Sequence, residues 1–419
     1  MNNNIKVEVI NGIRYHLYKS NRYKDTEIDI TFNKEFTKEE IEINNFLCCI
    51  LKDTCKKYSS KKEICIREEE LYAPFFYPTS GTKDFSIIFK FINPEYIEEK
   101  DYLKELFDYL YERIINYNFS DNKIFTKIKE DRELDAKRTV EFEESLIYEN
   151  AIELFDKDSI LSRPYKKSLE YIKNITPSTL EKAYKNILNN AQIEIFIMGN
   201  TDIDLIKKEF IKRFNNAFKS VNQELPVYYD HKSVETIKYK EDTSKFNQAM
   251  IEIIYNVEDL TLREKHLVSK VFNYIFGSGG LTSKLYKYVR EENSLCYSIY
   301  SDYVKYHNII IIDSKLDNKN IDKALKLIDL ALKEMQEGKF TEEDINDAKK
   351  AFLVALEPQF DDPKSVFSQY KSTLFLNNLT LEEYKEGFPT VTKEEIINVA
   401  NKIKQNTVYV MKGDNNANN

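Results

Sequence analysis

The residues able to do chemistry are few and unevenly placed. Only nine of the 419 residues are glycine, and three of these, Gly277, Gly279 and Gly280, fall within four positions. Average glycine usage is about 7%, so such a cluster in a glycine-poor chain marks a place where backbone turns tightly or approaches another group closely. The surrounding stretch, IFGSGGLTSKLYKYVREENSLCYSIYS from Ile275, carries a guanidinium at Arg290 and a phenol seven residues later at Tyr297. It is not a phosphate loop. FGSGGLTSK lacks the lysine–hydroxyl order and spacing of G-x-x-x-x-G-K-[ST].

Metal and nucleophile chemistry is poorly provided for. The four histidines, His16, His231, His266 and His307, are scattered without ligand spacing, and neither H-x-x-E-H nor H-E-x-x-H occurs. The five cysteines are Cys48, Cys49, Cys55, Cys65 and Cys296. Cys48 and Cys49 are adjacent in a helical pattern, so their side chains diverge by about 100°. The spacings to Cys55 and Cys65 match no standard zinc pattern, and no histidine lies close in sequence to act as base for a thiol nucleophile. Small buried hydrophobes are the simpler assignment for these cysteines. An odd number of them in a large chain also argues against a disulfide framework.

Composition bounds the setting. Hydrophobic residues make up 42% and charged residues 32%, an ordinary globular balance with length enough for two to four domains. The net charge of −8 disfavours a protein built to coat nucleic acid or anionic lipid. The longest apolar run, FLCCIL from Phe46, is far short of the roughly 20 residues of a membrane span. MNNNIKVEVINGIRYHLYKS has no apolar core of signal-peptide length, so the expected location is cytoplasmic.

The elements that position the glycine stretch belong to a unit written twice. EIDITFNKEFTKEE from Glu27 resembles MIEIIYNVEDLTLRE from Met250, each an alternating strand ended by an asparagine, Asn33 or Asn256. LKELFDYLYERIINYNFSDNKI from Leu103 resembles ALKLIDLALKEMQEGKFTEEDI from Ala324, with Asp108 matching Asp329, Phe119 matching Phe340 and Ile124 matching Ile345. ITPSTLEKAYKNILNNAQIEIFIMGN from Ile175 resembles VTKEEIINVANKIKQNTVYVMKGD from Val391, with Thr176 and Thr392 as N-cap candidates. Three matches in one order at nearly one offset, about 220 residues, predict homologous halves, 1–217 and 232–419, joined by a linker at 218–231. Strands precede helical blocks irregularly, which predicts an α+β fold, each half a mainly antiparallel sheet with helices packed on one face. The Pro- and Gly-free stretch from Ile124 to Phe155 is expected to be one long helical block with a solvated charged face.

In the first half, Ile43, Phe46, Leu47, Ile50 and Leu51 define the core face of a helix reading INNFLCCILKDTCKKYSS. This layout resembles the inverted-zinc-motif peptidases of the insulinase, pitrilysin and mitochondrial processing peptidase family, where the equivalent helix reads H-x-x-E-H. Here those five positions are Asn45, Phe46, Leu47, Cys48 and Cys49, so both histidines and the glutamate are absent. In the second half the family pattern resembles G-G-x-x-S-x-L-[FY]-x-x-[VIL]-R-E-x-x-x-L-x-Y. This chain keeps ten of its positions: Gly279, Gly280, Ser283, Leu285, Tyr286, Val289, Arg290, Glu291, Leu295 and Tyr297.

The resemblance implies half of a clamshell whose zinc side has lost its ligands and whose Arg/Tyr side is intact. It implies that Gly277, Gly279 and Gly280 contact a peptide substrate, and that Arg290 and Tyr297 donate to the oxyanion of peptide hydrolysis at a partner's zinc site. The implied partner is a paralogous, zinc-bearing chain with H-x-x-E-H. This chain itself would bind no metal, nucleic acid or membrane. Two other assignments use the same residues. One is a scaffold or peptide-binding protein of the same fold with no part in hydrolysis. In the other, the glycines form a turn, Arg290 caps a helix C-terminus and Tyr297 packs in a sheet.

Overall fold

The matched runs EIDITFN and MIEIIYN occupy equivalent places in two separate sheets. The computed structural model describes residues 5–22 and 24–414. The first sheet contains β1 (Ile5–Ile10), β2 (Ile13–Lys19), β3 (Asp25–Asn33), β4 (Phe75–Ser80), β5 (Asp84–Ile92) and β6 (Gln192–Gly199), in the order β1-β2-β6-β3-β5-β4. The second contains β7 (Lys238–Thr243), β8 (Ala249–Val257), β9 (Cys296–Val304), β10 (Ile309–Leu316) and β11 (Ile403–Lys412), in the order β7-β11-β8-β10-β9. In each sheet one strand pair is parallel, β2 with β6 and β7 with β11. The other pairings are antiparallel. Apart from β1, the second sheet repeats the pairing of the first strand for strand. The fold is α+β and mainly antiparallel, as the repeated patterns require.

Local signals set the helix starts. Thr176 caps the helix Pro177–Asn190 and Thr392 caps Lys393–Asn401, each in a reciprocal capping box. The matched phenylalanines Phe119 and Phe340 are both buried. In the helix Lys38–Asp53, Phe46, Leu47, Ile50 and Leu51 are fully buried, and Ile41 joins them. Ile43 is only half-buried.

The block from Ile124 is helical but interrupted. It breaks into Asn122–Arg138 and Glu143–Asp156, with a tight turn at Thr139–Glu141. The break also changes the unit to which the chain belongs. One compact unit comprises the described residues up to Arg138 together with Tyr165–Leu225, and the other comprises Thr139–Pro164 and the residues from Pro226 on. The cause is packing. Ile147, Ala151, Ile152 and Phe155 form an apolar face that buries against Met250, Ile254, Ile309, Ile311, Tyr409 and Met411 of the second sheet.

The stretch 218–231 is tied down at both ends. Ser220 Oγ accepts from the Ile193 backbone, and Phe218 packs edge-on against Phe32 in the first unit. In the second unit, the Tyr229 backbone donates to the Tyr306 carbonyl, and His231 bridges Asp156 and His307 at 2.9 and 3.0 Å.

Candidate functional site

The glycine stretch lies between two helical segments of the second unit. Residues 262–278 form one helix widened at Glu264–Val268 and Tyr274–Ser278 into π turns, a geometry frequent at functional sites. A single turn at Gly280–Thr282 follows, then a short helix over 284–291. Ser283 begins that helix, its Oγ bonded to the Gly280 carbonyl at 2.8 Å. Leu285 and Val289 are fully buried. Lys284 pairs with Glu334 on the helix Ile321–Gln336 at 2.9 Å, and the Tyr288 hydroxyl donates to the same carboxylate. Core positions 285 and 289 and anchor positions 284 and 288 leave Arg290 facing out.

The three glycines have different reasons to be glycine. Gly277 is buried, and a Cβ there would meet Ser301 Oγ and come within 2.7 Å of Leu285 Cδ1 and 2.8 Å of Ser301 Cβ. A Cβ on Gly279 would sit 2.6 Å from the Tyr274 carbonyl oxygen. Both positions thus allow close packing within the unit. Gly280 has φ of +64° and open space around it, so backbone conformation alone requires glycine there. Of the three, only Gly280 is exposed.

Arg290 and Tyr297 both face solvent. The Arg290 guanidinium lies over the Tyr286 ring, 4.9 Å from its centroid, a cation–π contact that holds it without an ion pair among the described residues. Its place in the last turn also suits the negative end of the helix dipole. Tyr297 does not pack in the sheet. It is 65% exposed on β9, the edge strand. The register passes from Cys296 opposite Leu316 to Ser298 opposite Lys315, so Tyr297 is the extra residue of a β-bulge. Bulges at sheet edges re-aim a side chain out of the ladder.

The first unit's helix Lys38–Asp53 holds no ligands where the resemblance looks for them. Asn45 is half-buried, Phe46 packs against the tilted ring of Phe125 with centroids 5.1 Å apart, and burial pushes the Cys48 thiol up to about 12. Burial also raises Cys49. A thiol held protonated is a poor metal ligand or nucleophile. All five cysteines are free, and among the described residues no group of three or more His, Cys, Asp or Glu could hold a metal ion. No helix among the described residues is long and apolar enough to cross a membrane.

Two features escape sequence reasoning. Asn273 and Ser301 form a buried pair beside Gly277: Ser301 Oγ donates to Asn273 Oδ1 at 2.7 Å and Asn273 Nδ2 donates to the Ser301 carbonyl at 3.1 Å. They pin the edge strand to the helix that leads into the glycines, yet they are 28 residues apart and match no motif. The other is Glu252, buried in β8 opposite Asp313. A glutamate within the apolar run MIEIIYN is its only signal.

Residues 174–352 match the family model described as the Peptidase M16 inactive domain. The chain is 22% identical to the "Probable inactive metalloprotease YmfF" of Bacillus subtilis (strain 168), over 97% of each chain. Its fold is that of a conserved protein from Enterococcus faecalis V583, with a TM-score of 0.89 at 21% identity over 98% of this chain and 99% of that one. It is also that of a peptidase M16 inactive domain from Pseudomonas fluorescens, with a TM-score of 0.77 at 12% identity and 98% coverage of both. These likenesses, with the empty ligand positions on the helix Lys38–Asp53, support an M16, insulinase-like affiliation for a chain whose described residues hold no metal-binding group.

Proposed function

We propose that this chain is the zinc-free subunit of a two-chain zinc metallopeptidase, acting on peptides in the cytoplasm. A paralogous partner with H-x-x-E-H supplies zinc and the activated water. This chain supplies Arg290 and Tyr297 as donors to the developing oxyanion or to adjacent substrate carbonyls, and the exposed turn at Gly280 as a surface for peptide backbone, with Gly277 and Gly279 packing beneath it. The observation that supports this reading is the exposure of Arg290 and Tyr297. Neither has a packing role that would demand its identity, and a bulge turns Tyr297 outward from an edge strand. A second reading, an inert peptide-binding scaffold, is favoured by the inactive status in the names of the matched family and relative.

Co-expression with a related H-x-x-E-H chain from the same genome separates the two. The paired-subunit reading expects a co-purifying complex that cleaves unstructured peptides, zinc confined to the partner, and little cleavage by either chain alone. A stable complex with no cleavage under any condition leaves the scaffold. Chelator-sensitive cleavage by the isolated chain at ordinary enzyme rates overturns both.

A further inference from the structure

Four separate stretches of the second unit bring two lysines together without a carboxylate. Lys305, just after β9, donates to Asn378 Oδ1 at 3.0 Å and lies 3.3 Å from His266 Nδ1. Lys270, one helical turn beyond His266, places its ammonium 4.6 Å from the centroid of the Tyr384 ring. His266 is fully buried, and its other nitrogen lies 2.9 Å from the Tyr228 hydroxyl. The Tyr384 hydroxyl donates to the same Asn378 oxygen at 2.6 Å. Among the described residues neither Lys270 nor Lys305 has a carboxylate as ion-pair partner.

Two other sheltered lysines do have carboxylate partners. Lys207 pairs with Glu8 and Asp204, and Lys284 with Glu334. A desolvated ammonium without a counter-charge is costly, and two close together cost more. Here burial is the first cause for each group. Burial and the Lys270 charge hold Lys305 down to about 7, burial lowers Lys270, and burial with both lysines lowers His266 to about 4. Both lysines are half-buried and neither is fully enclosed. A bound anion is the partner such a pair lacks.

We propose that Lys270 and Lys305 form a binding site for a small oxyanion, a carboxylate or a phosphate, with Asn378 and His266 fixing the Lys305 amine in place. The Tyr384 ring against the Lys270 ammonium limits how fully bulk water screens the charge. The site lies outside the Arg290–Tyr297 motif, and its test reads binding and not peptide cleavage.

Calorimetric titration and thermal melts of the intact chain at pH 7 test it. The probes are sodium phosphate and a short acetylated peptide with either a free or an amidated C-terminus, each against sodium chloride of equal ionic strength. The expected result is saturable binding and a raised melting temperature with phosphate or with the free carboxylate. Phosphate alone identifies a free anion, whereas preference for the free over the amidated peptide identifies a chain end. Lys270→Met and Lys305→Met should each weaken binding by about tenfold or more and fold at least as stably as wild type without anion, since each removes an unpaired buried charge. Lys305→Arg keeps a cation and should retain binding, which separates loss of the site from loss of the fold. Absence of any saturable effect beyond chloride overturns the proposal, as does unchanged affinity in both methionine variants.

Discussion

Ser301 fills the space that a side chain at Gly277 would need. The helix and the edge strand meet there at glycine distance, held by the Asn273–Ser301 pair. Gly277→Ala should therefore destabilise the protein by about 1–3 kcal/mol through overpacking. Gly280→Ala should cost about 1–2 kcal/mol for a different reason, the left-handed backbone at φ +64°. Denaturant midpoints check both. A Gly277→Ala midpoint equal to wild type would show that Ser301 gives way freely and that close packing does not require this glycine.

What sequence reveals here follows the range of the interaction. The strand patterns at Glu27 and Met250 and the caps at Thr176 and Thr392 are legible because alternation and capping act within a few residues. Arg290 and Tyr297 are legible as a spaced motif. The bulge that exposes Tyr297 depends on pairing with a strand nearly twenty residues on, so no local pattern carries it. The same limit hides the meeting of Lys305 with His266, 39 residues apart. The helix Glu143–Asp156 shows a further limit. Its apolar stripe says that a face is buried, but a stripe cannot name the sheet that buries it.

That assignment has a measurable consequence. Ile152 lies in the first half of the sequence, yet it packs with Ile254 and Ile311 of the second sheet's core. Ile152→Ala should cost about 2–5 kcal/mol, the range for a buried aliphatic truncated in a core that only partly relaxes. Amide exchange should rise mainly in β8, β10 and β11. Faster exchange confined to the first sheet would contradict the packing seen here.

Glu252 should make stability fall as pH rises. It is 2% exposed, and its Oε1 has no hydrogen-bond partner among the described residues. Burial, then the charge of Asp313, pushes its pKa well above the usual carboxylate range, and Asp313 is itself raised, first by burial. With the folded value above the unfolded one, the unfolded chain releases its proton first. The stability present below about pH 4.3 is then lost progressively as pH climbs toward the folded value. Glu252→Gln removes this titration. Its stability should decline less between pH 5 and 8, and at pH 8 it should exceed wild type by about 1.4 kcal/mol for each unit of the shift. Parallel pH profiles for the two proteins would show that Glu252 titrates normally.

The outward pair Arg290 and Tyr297 gives the sharpest separation between catalysis and architecture. Both are solvent-facing, so Arg290→Ala and Tyr297→Phe should change the midpoint of unfolding by no more than about 0.5–1 kcal/mol, the upper part reflecting lost stacking on Tyr286. If they serve a partner's zinc site, the assembled enzyme should form normally and lose turnover. Arg290 should matter more, since it brings a full charge and up to five donors where the phenol brings one. A loss of about 10²-fold or more is the scale for a donor at the developing oxyanion. Arg290→Lys should rescue incompletely, because an ammonium lacks the planar fork. The double variant should lose less than the product of the single losses if both address one oxygen. A purely structural role gives another pattern, with lowered stability or failed pairing and activity that follows the amount of folded complex. Variants that assemble normally and turn over peptide at the wild-type rate would remove the pair from catalysis and leave the scaffold reading.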